Sequence, residues 1–203
     1  MRITCKICRR LGMSVCGREK CALKRKPYPP GEHGRGSRHG RRGSSEFGLQ
    51  LREKQKMKFL YGLRETQFKN YVSEASLRSG NASDNLYQIL ESRLDNAVYR
   101  LGFAASRAFA RQMVNHGHIM VNGRKVNIPS YRLKPNDMIS LRPESAPKGL
   151  FRDLDLRLKK FNSPAWLSLD KEKKEGKVIG RAALELEAGS NLNLNSIIEY
   201  YSR

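Results

Sequence analysis

Cys5, Cys8, Cys16 and Cys21 fall within the first 21 of 203 residues, and no other cysteine follows. Their spacing is C-x2-C, seven residues, then C-x4-C. A two-residue gap lets both sulfurs of one turn reach a single ion, and a second pair completes a tetrahedron. Four thiolates leave no open coordination position, so Zn²⁺ held there organises the chain and does no catalysis. An iron–sulfur cluster, and redox or inert thiols, are the alternatives. Lys6, Arg9, Arg10, Arg18 and Lys20 are interleaved with the cysteines. These cations lower thiol pKa and suit a bound polyanion. His33 and His39 are spare candidate ligands, but four thiols suffice.

A second constellation runs from Ser106 to Lys125. Arg107 and Arg111 are one helical turn apart, on the side away from Phe109 and Met113. Like charges at that spacing cost an isolated helix roughly 0.2–0.5 kcal/mol, and a bound phosphate reverses the sign. The N–H groups after Ser106 offer a second anion site at a helix start. Gln112, Asn115 and His116 add hydrogen-bonding groups, and Asn122, Gly123, Arg124 and Lys125 extend the polar reach onto a hairpin. Taken singly each is an ordinary solvated residue; together they read as a compact RNA-binding surface. His116 and His118 have no carboxylate, cysteine or serine near them in a catalytic pattern. Neither the G-x-x-x-x-G-K-[ST] loop nor a G-x-G-x-x-G turn occurs. The chain therefore reads as non-enzymatic.

Charge supports the same partner. Lys and Arg number 40 against 19 Asp and Glu, for a formal net charge of +21. So large a charge repels itself in a compact state and is relieved by a polyanion. Nucleic acid is the first candidate. An anionic membrane surface is the second, but no helix with a broad apolar face and a basic rim stands out, and no apolar run approaches the roughly 20 residues of a spanning helix. No signal peptide is visible, so the chain reads as intracellular, where clustered cysteines favour metal over disulfides.

More than half of the net charge lies in residues 1–45, which hold 13 Lys and Arg against two acids. Prolines 27, 29 and 30 and a run of glycines follow the cysteines. With few large apolar residues, this segment reads as an arm shaped by a metal and a partner. The plainer alternative is a disordered solubility tail.

The elements that must position these groups can be read from periodicity. Ser45 caps a helix to about Tyr61, ended by Gly62. Arg52, Lys54, Lys56 and Lys58 recur at every second position, which at about 100° per residue spreads charge around the helix. That suits a helix embedded among phosphates, or one that is merely well solvated. Phe68, Tyr71, Val72 and Ala75 mark a second helix, Glu65 to Ser79, with Gly80 as its cap. A single longer helical stretch is predicted from Ser83 to Leu101, stopped by Gly102. Ser106 starts another that stops at Gly117. Ile119 to Val121 and Arg124 to Val126 flank Asn122-Gly123, the strongest short hairpin signal. Tyr131 to Leu133 and Met138 to Leu141 read as strands joined by the Pro135-Asn136-Asp137 turn. A helix is expected over Leu150 to Phe161, then paired strands Trp166 to Leu169 and Lys177 to Ile179. The apolar end, Ile197 to Tyr201, should dock onto a domain.

Long stretches of this chain resemble the bacterial-type small-subunit ribosomal protein S4 family, in its zinc-bearing version. The run SRLDNAVYRLGFAASRAFARQMVNHGHIMVNGRKVNIPSYRLKPND carries the resemblance, with KPYPPGEHG, EFGLQLREKQK and the closing IIEYYSR in the same order. The resemblance implies an α+β fold: a helical domain with an inserted mixed helix and antiparallel-sheet RNA-binding domain, plus an extended basic zinc-binding segment at the N-terminus. The implied division is 1–44 for that segment, 45–91 with about 180–203 for the helical domain, and 92–179 for the RNA-binding domain. It further implies direct binding of small-subunit ribosomal RNA at a multi-helix junction, early in assembly. Neighbouring small-subunit ribosomal proteins and messenger RNA, where it enters the subunit, are the other implied partners. Arg41 and Arg42 fall in the loop that resembles the family's basic channel-lining segment. The expected location is the cytoplasmic ribosome, an organellar matrix being the other possibility. The rival readings are an accessory module of an RNA-modifying enzyme and a messenger-binding translational regulator.

Overall fold

The computed structural model describes residues 3–18, 20–34, 45–145, 149–151, 154–183 and 192–202. The fold is α+β, and its contacts divide it into two compact units: Met1–Leu86 with Leu186–Arg203, and Tyr87–Glu185. No helix among the described residues is long and apolar enough to cross a membrane.

The first unit is helical. Short helices α1 (Cys5–Leu11) and α2 (Ala22–Arg25) are followed by α3 (Glu46–Leu60) and α4 (Glu65–Leu77). Ser45 caps α3 as its sequence predicts, its hydroxyl accepting from Gly48 N–H at 3.2 Å. The residues beside the cysteines do build a small core. Cys8, Val15 and Cys21 are buried among Ile3, Ile7, Leu11, Met13 and Leu23, and the cluster leans on Phe59 and Leu60 of α3. The cysteine segment is thus seated on the end of a helix, and its described part is not extended.

Phe68, Tyr71, Val72 and Ala75 are the buried face of α4, matching their i, i+3, i+4, i+7 spacing. Gly80 is not the cap expected of it. Arg78 already leaves the helix in an extended conformation, and Asn85 Nδ2 donates to the carbonyls of Ala75, Arg78 and Ser79 at 3.2–3.3 Å. That side chain satisfies the carbonyls a helix end leaves open. The last helix, α9 (Leu194–Ser202), packs on α3 and α4. Leu194 and Ile197 are its buried anchors, and burying such a side chain contributes about 1.5–3 kcal/mol.

The predicted single stretch from Ser83 to Leu101 is two helices, α5 (Ala82–Glu91) and α6 (Leu94–Arg100). Asn81, two residues before the predicted start, takes the Ser83 N–H on its Oδ1. The break falls at Arg93, which is extended (φ −69°, ψ 139°) and bridges Arg132. Leu94 N–H donates to Tyr131 O, Asp95 N–H to Pro129 O and Leu133 N–H to Ser92 O. Those bonds replace what the helix interruption forfeits. They also explain why Tyr131 to Leu133 joins no sheet: it pairs with the helix break instead.

After α7 (Arg107–Asn115), strands β1 (Ile119–Val121), β2 (Arg124–Lys125), β3 (Met138–Leu141), β4 (Leu167–Asp170) and β5 (Glu175–Val178) form an antiparallel sheet in the order β2-β1-β3-β5-β4. Asn122 (φ 51°) and Gly123 (φ 74°) make the two-residue turn their sequence predicts. Ile119 opposite Leu141, Val121 opposite Ile139, and Leu167 opposite Val178 supply the buried face. Gly176 sits opposite Ile139 on that face, where a Cβ would strike Leu101 Cδ1 at 2.4 Å. Helix α8 (Leu154–Lys160) buries Leu154 and Leu158. It is shorter than the predicted Leu150 to Phe161, since Gly149–Phe151 form a separate 3₁₀ turn.

Candidate metal centre and nucleic-acid interface

Three of the four thiols, spread over 17 residues of sequence, converge. Sγ atoms of Cys5, Cys16 and Cys21 all lie within 4.8 Å of one another, and Cys8 is buried in the same small core. All four are free thiols. At a Zn–S distance of about 2.3 Å a tetrahedral site holds its sulfurs about 3.8 Å apart, so the three converged sulfurs are compatible with thiolate coordination of one ion. The thiols are electrostatically unequal. Burial pushes Cys8 up to about 12, reinforced by its Cys16 neighbour. Burial alone would raise Cys21 too, but Leu23 N–H, the Ser14 hydroxyl and the adjacent thiols bring it down to about 7. Arg9 ties the following segment to α1: its Nε donates to Tyr28 O at 2.9 Å, a terminal nitrogen donates to Pro29 O at 3.1 Å, and its guanidinium lies over the Tyr28 ring.

The α3 cations do not all face outward. Arg52 is exposed. Lys54 is only 5% exposed, and with Lys58 it closes on Glu65, at 2.7 and 2.8 Å. Lys56 pairs with Glu53 at 2.6 Å. The reading of α3 as positive on every side is therefore corrected at Lys54, whose ammonium has no open surface to offer a phosphate. The signal was hidden because Glu65 lies on the next helix. His39, Arg41 and Arg42 lie outside the described residues.

The second constellation is drawn together in the other unit. Ser106 caps α7, its hydroxyl accepting from Phe109 N–H at 3.3 Å. Ala110, Met113 and Val114 face the core, while Gln112, Asn115 and His116 are exposed and Arg107 and Arg111 half-buried. Helix α7 ends on Gly117 (φ 70°), with Gly117 N–H donating to Val114 O and His118 N–H to Met113 O. The Lys125 stem crosses Gly117 so closely that a Cβ there would meet its Cε at 2.3 Å. The hairpin cation is thereby laid over the C-terminal end of α7, where positive charge is favoured. Gly123 and Arg124 are exposed at the hairpin tip. Asn122 is engaged internally: its Nδ2 donates to Asp137 Oδ1 and its Oδ1 accepts from Met138 N–H, both at 2.8 Å.

Behind this surface is a polar layer that periodicity did not reveal. Arg93 makes two bonds to Asp95, at 3.0 and 2.7 Å, and Arg111 lies 4.0 Å from the same carboxylate. Arg100 grips Glu91 at 2.8 and 3.0 Å. Arg107 Nε donates to Asn96 Oδ1 at 2.8 Å, and its guanidinium lies over the Tyr99 ring, 4.5 Å from its centre. Glu91, Arg93, Asp95 and Asn96 are all buried. The available clue was four polar residues set between Leu90, Leu94 and Ala97, at positions that a plain amphipathic helix would turn to solvent.

The sequence is similar to that of known proteins over nearly its whole length. Residues 2–91 match the family described as Ribosomal protein S4/S9 N-terminal domain, and residues 92–139 match the S4 domain. The chain is 44% identical to the small ribosomal subunit protein uS4 of Thermotoga petrophila, over 98% of this chain and 96% of that protein. It is 46% identical to the proteins of the same name from Caldicellulosiruptor bescii and Chloroflexus aurantiacus, with the same coverage. The chain belongs to the ribosomal protein S4 family, its N-terminal domain followed directly by the S4 domain.

Proposed function

We infer that this protein is a structural, non-enzymatic constituent of the small ribosomal subunit that binds ribosomal RNA directly. Its relatives are small-subunit proteins over nearly their whole length. The observation that carries the RNA reading is the face of α7: Arg107, Arg111, Gln112, Asn115 and His116 lie together, with the hairpin cations beside them. Such a face neutralises phosphates and fixes the angle at which RNA helices meet. Its place is the ribosome in the cytoplasm.

Ser106, Arg107, Arg111, Gln112, Asn115 and His116 form one RNA contact, with Gly123, Arg124 and Lys125. Arg52 and the basic arm, including Arg41 and Arg42, form another, the arm near the path of incoming messenger RNA. Neighbouring small-subunit proteins complete the environment. Zn²⁺ on Cys5, Cys8, Cys16 and Cys21 supplies a structural crosslink that fixes the N-terminal segment against α3. The convergence of three of these thiols, with Cys8 buried in the same small core, supports this.

Co-sedimentation with small subunits, together with filter binding to small-subunit ribosomal RNA across a salt series, tests the function. Affinity should fall steeply, with a log–log slope of roughly 0.7–0.9 per phosphate contacted. A flat salt response, or recovery only in ribosome-free fractions, would refute it.

A further inference from the structure

We propose that Tyr99 and Asn96 are positioning residues that set the Arg107 guanidinium for an RNA phosphate. The inference rests on the RNA-binding reading above and names the device within that surface. A free arginine side chain carries about 2 kcal/mol of rotamer entropy, which is lost when it grips a ligand. Here that loss is taken on folding. The Tyr99 ring supports one face of the guanidinium at 4.5 Å, and Asn96 fixes its Nε edge at 2.8 Å. Asn96 is itself buried and hydrogen-bonded. It is 1% exposed, and its Nδ2 donates to Glu91 O at 3.2 Å, which orients its oxygen toward the arginine. The guanidinium is thus held in one plane at the first turn of α7, beside the Ser106 cap. A planar fork in a set orientation is what bidentate phosphate binding requires, and a bound ligand then orders fewer groups. Tyr99 lies on α6 and Arg107 on α7, so the stack also fixes the cation relative to the helix behind it. The bland competitor is that Arg107 is only a brace between these helices.

A double-mutant cycle separates the two. The probe is a transcript of bacterial small-subunit ribosomal RNA, and the readouts are dissociation constant, salt slope and thermal midpoint. Tyr99→Leu is expected to weaken binding ~3–10-fold, the loss of a cation–π support and its ordering. Tyr99→Phe keeps the ring face and should bind as the parent does. Arg107→Ala should lower the salt slope by about one phosphate, and adding Tyr99→Leu to it should weaken binding no further. Arg107→Lys keeps the charge without the planar fork and should bind as weakly as Tyr99→Leu, which keeps the test open if the leucine variant folds poorly. Parental affinity in Tyr99→Leu or Arg107→Lys would overturn the proposal. So would a Tyr99→Leu loss that persists in full on the Arg107→Ala background, or an Arg107→Ala variant with a lower midpoint and unchanged affinity. Those outcomes leave RNA binding itself intact, whereas a parent protein indifferent to the transcript would overturn both readings together.

Discussion

Lys54 on α3 and Glu65 on α4 meet at 2.7 Å, and the ammonium lies 4.7 Å from the Tyr200 ring centre of α9. Lys58 holds the second carboxylate oxygen at 2.8 Å, and the Tyr201 hydroxyl donates to the first at 2.7 Å. One carboxylate therefore ties the consecutive helices α3 and α4 to the last helix, α9. Partial desolvation works against its charge, but donors from Lys54, Lys58 and Tyr201 outweigh it and bring Glu65 down from 4.5 to about 2. Burial and the nearby Glu65 charge push Tyr201 well above the usual phenol range, so it stays a donor.

This junction predicts a specific acid response. The native carboxylate binds its proton less readily than the unfolded one, so its contribution is complete above about pH 5 and drains away toward pH 2. Glu65→Gln should cost about 1–3 kcal/mol at pH 7, because it leaves the Lys54 ammonium buried without its counter-ion; the exposure of the glutamate keeps the figure below that of a fully buried pair. In urea unfolding, the gap between parent and variant should close as pH falls from 7 to 2.5. A gap of constant size would mean that the ion pair contributes nothing through its charge.

Local signals and distant partners account for what the sequence made legible. Ser45, Ser106 and Asn122-Gly123 act within a few residues of themselves, so their caps and turn could be read directly. The converging cysteines were legible because thiol chemistry has few uses at such spacing. Arg93 could not be read as a helix break, since the strand-like residues that receive it, 129–133, lie beyond α7 and the hairpin. The same holds for Lys54, whose partners sit on α4 and at the far end of the chain. Within the candidate site, the arginines of α7 were visible as surface residues. Asn96 and Tyr99, which orient one of them, were concealed inside an apolar helical pattern.

Arg93 and Asp95 make a second testable pair. Arg93 is 1% exposed and meets Asp95 through two short bonds. Removing Asp95 takes from the buried Arg93 the carboxylate that accepts both bonds, so Asp95→Ala should destabilise by about 3–5 kcal/mol. Replacing both, as Arg93→Met with Asp95→Leu, should recover more than half of that loss, because neither charge then needs desolvating. The backbone bridge to Arg132 survives in either variant, so the β-rich unit should keep its far-ultraviolet spectrum. A double variant as unstable as Asp95→Ala would show that the pair is worth more than well-packed apolar replacements.

The cysteine cluster predicts how metal and stability are linked. Three sulfurs lie mutually within 4.8 Å, and Cys8 is buried in the same small core. A four-thiolate site should hold one zinc per chain, and cobalt substitution should give the intense visible bands of tetrahedral thiolate coordination. Chelation should lower the thermal midpoint, since the described N-terminal segment draws part of its small core from the cysteines themselves. Cys8→Ser is the discriminating variant. With four ligands it should lose most of its zinc, as Cys16→Ser should. With Cys5, Cys16 and Cys21 as the whole site it would keep a full equivalent, and Cys8 would then be a core residue alone. Parent protein purified without zinc, and unaffected by chelators, would remove the metal from the account of this segment.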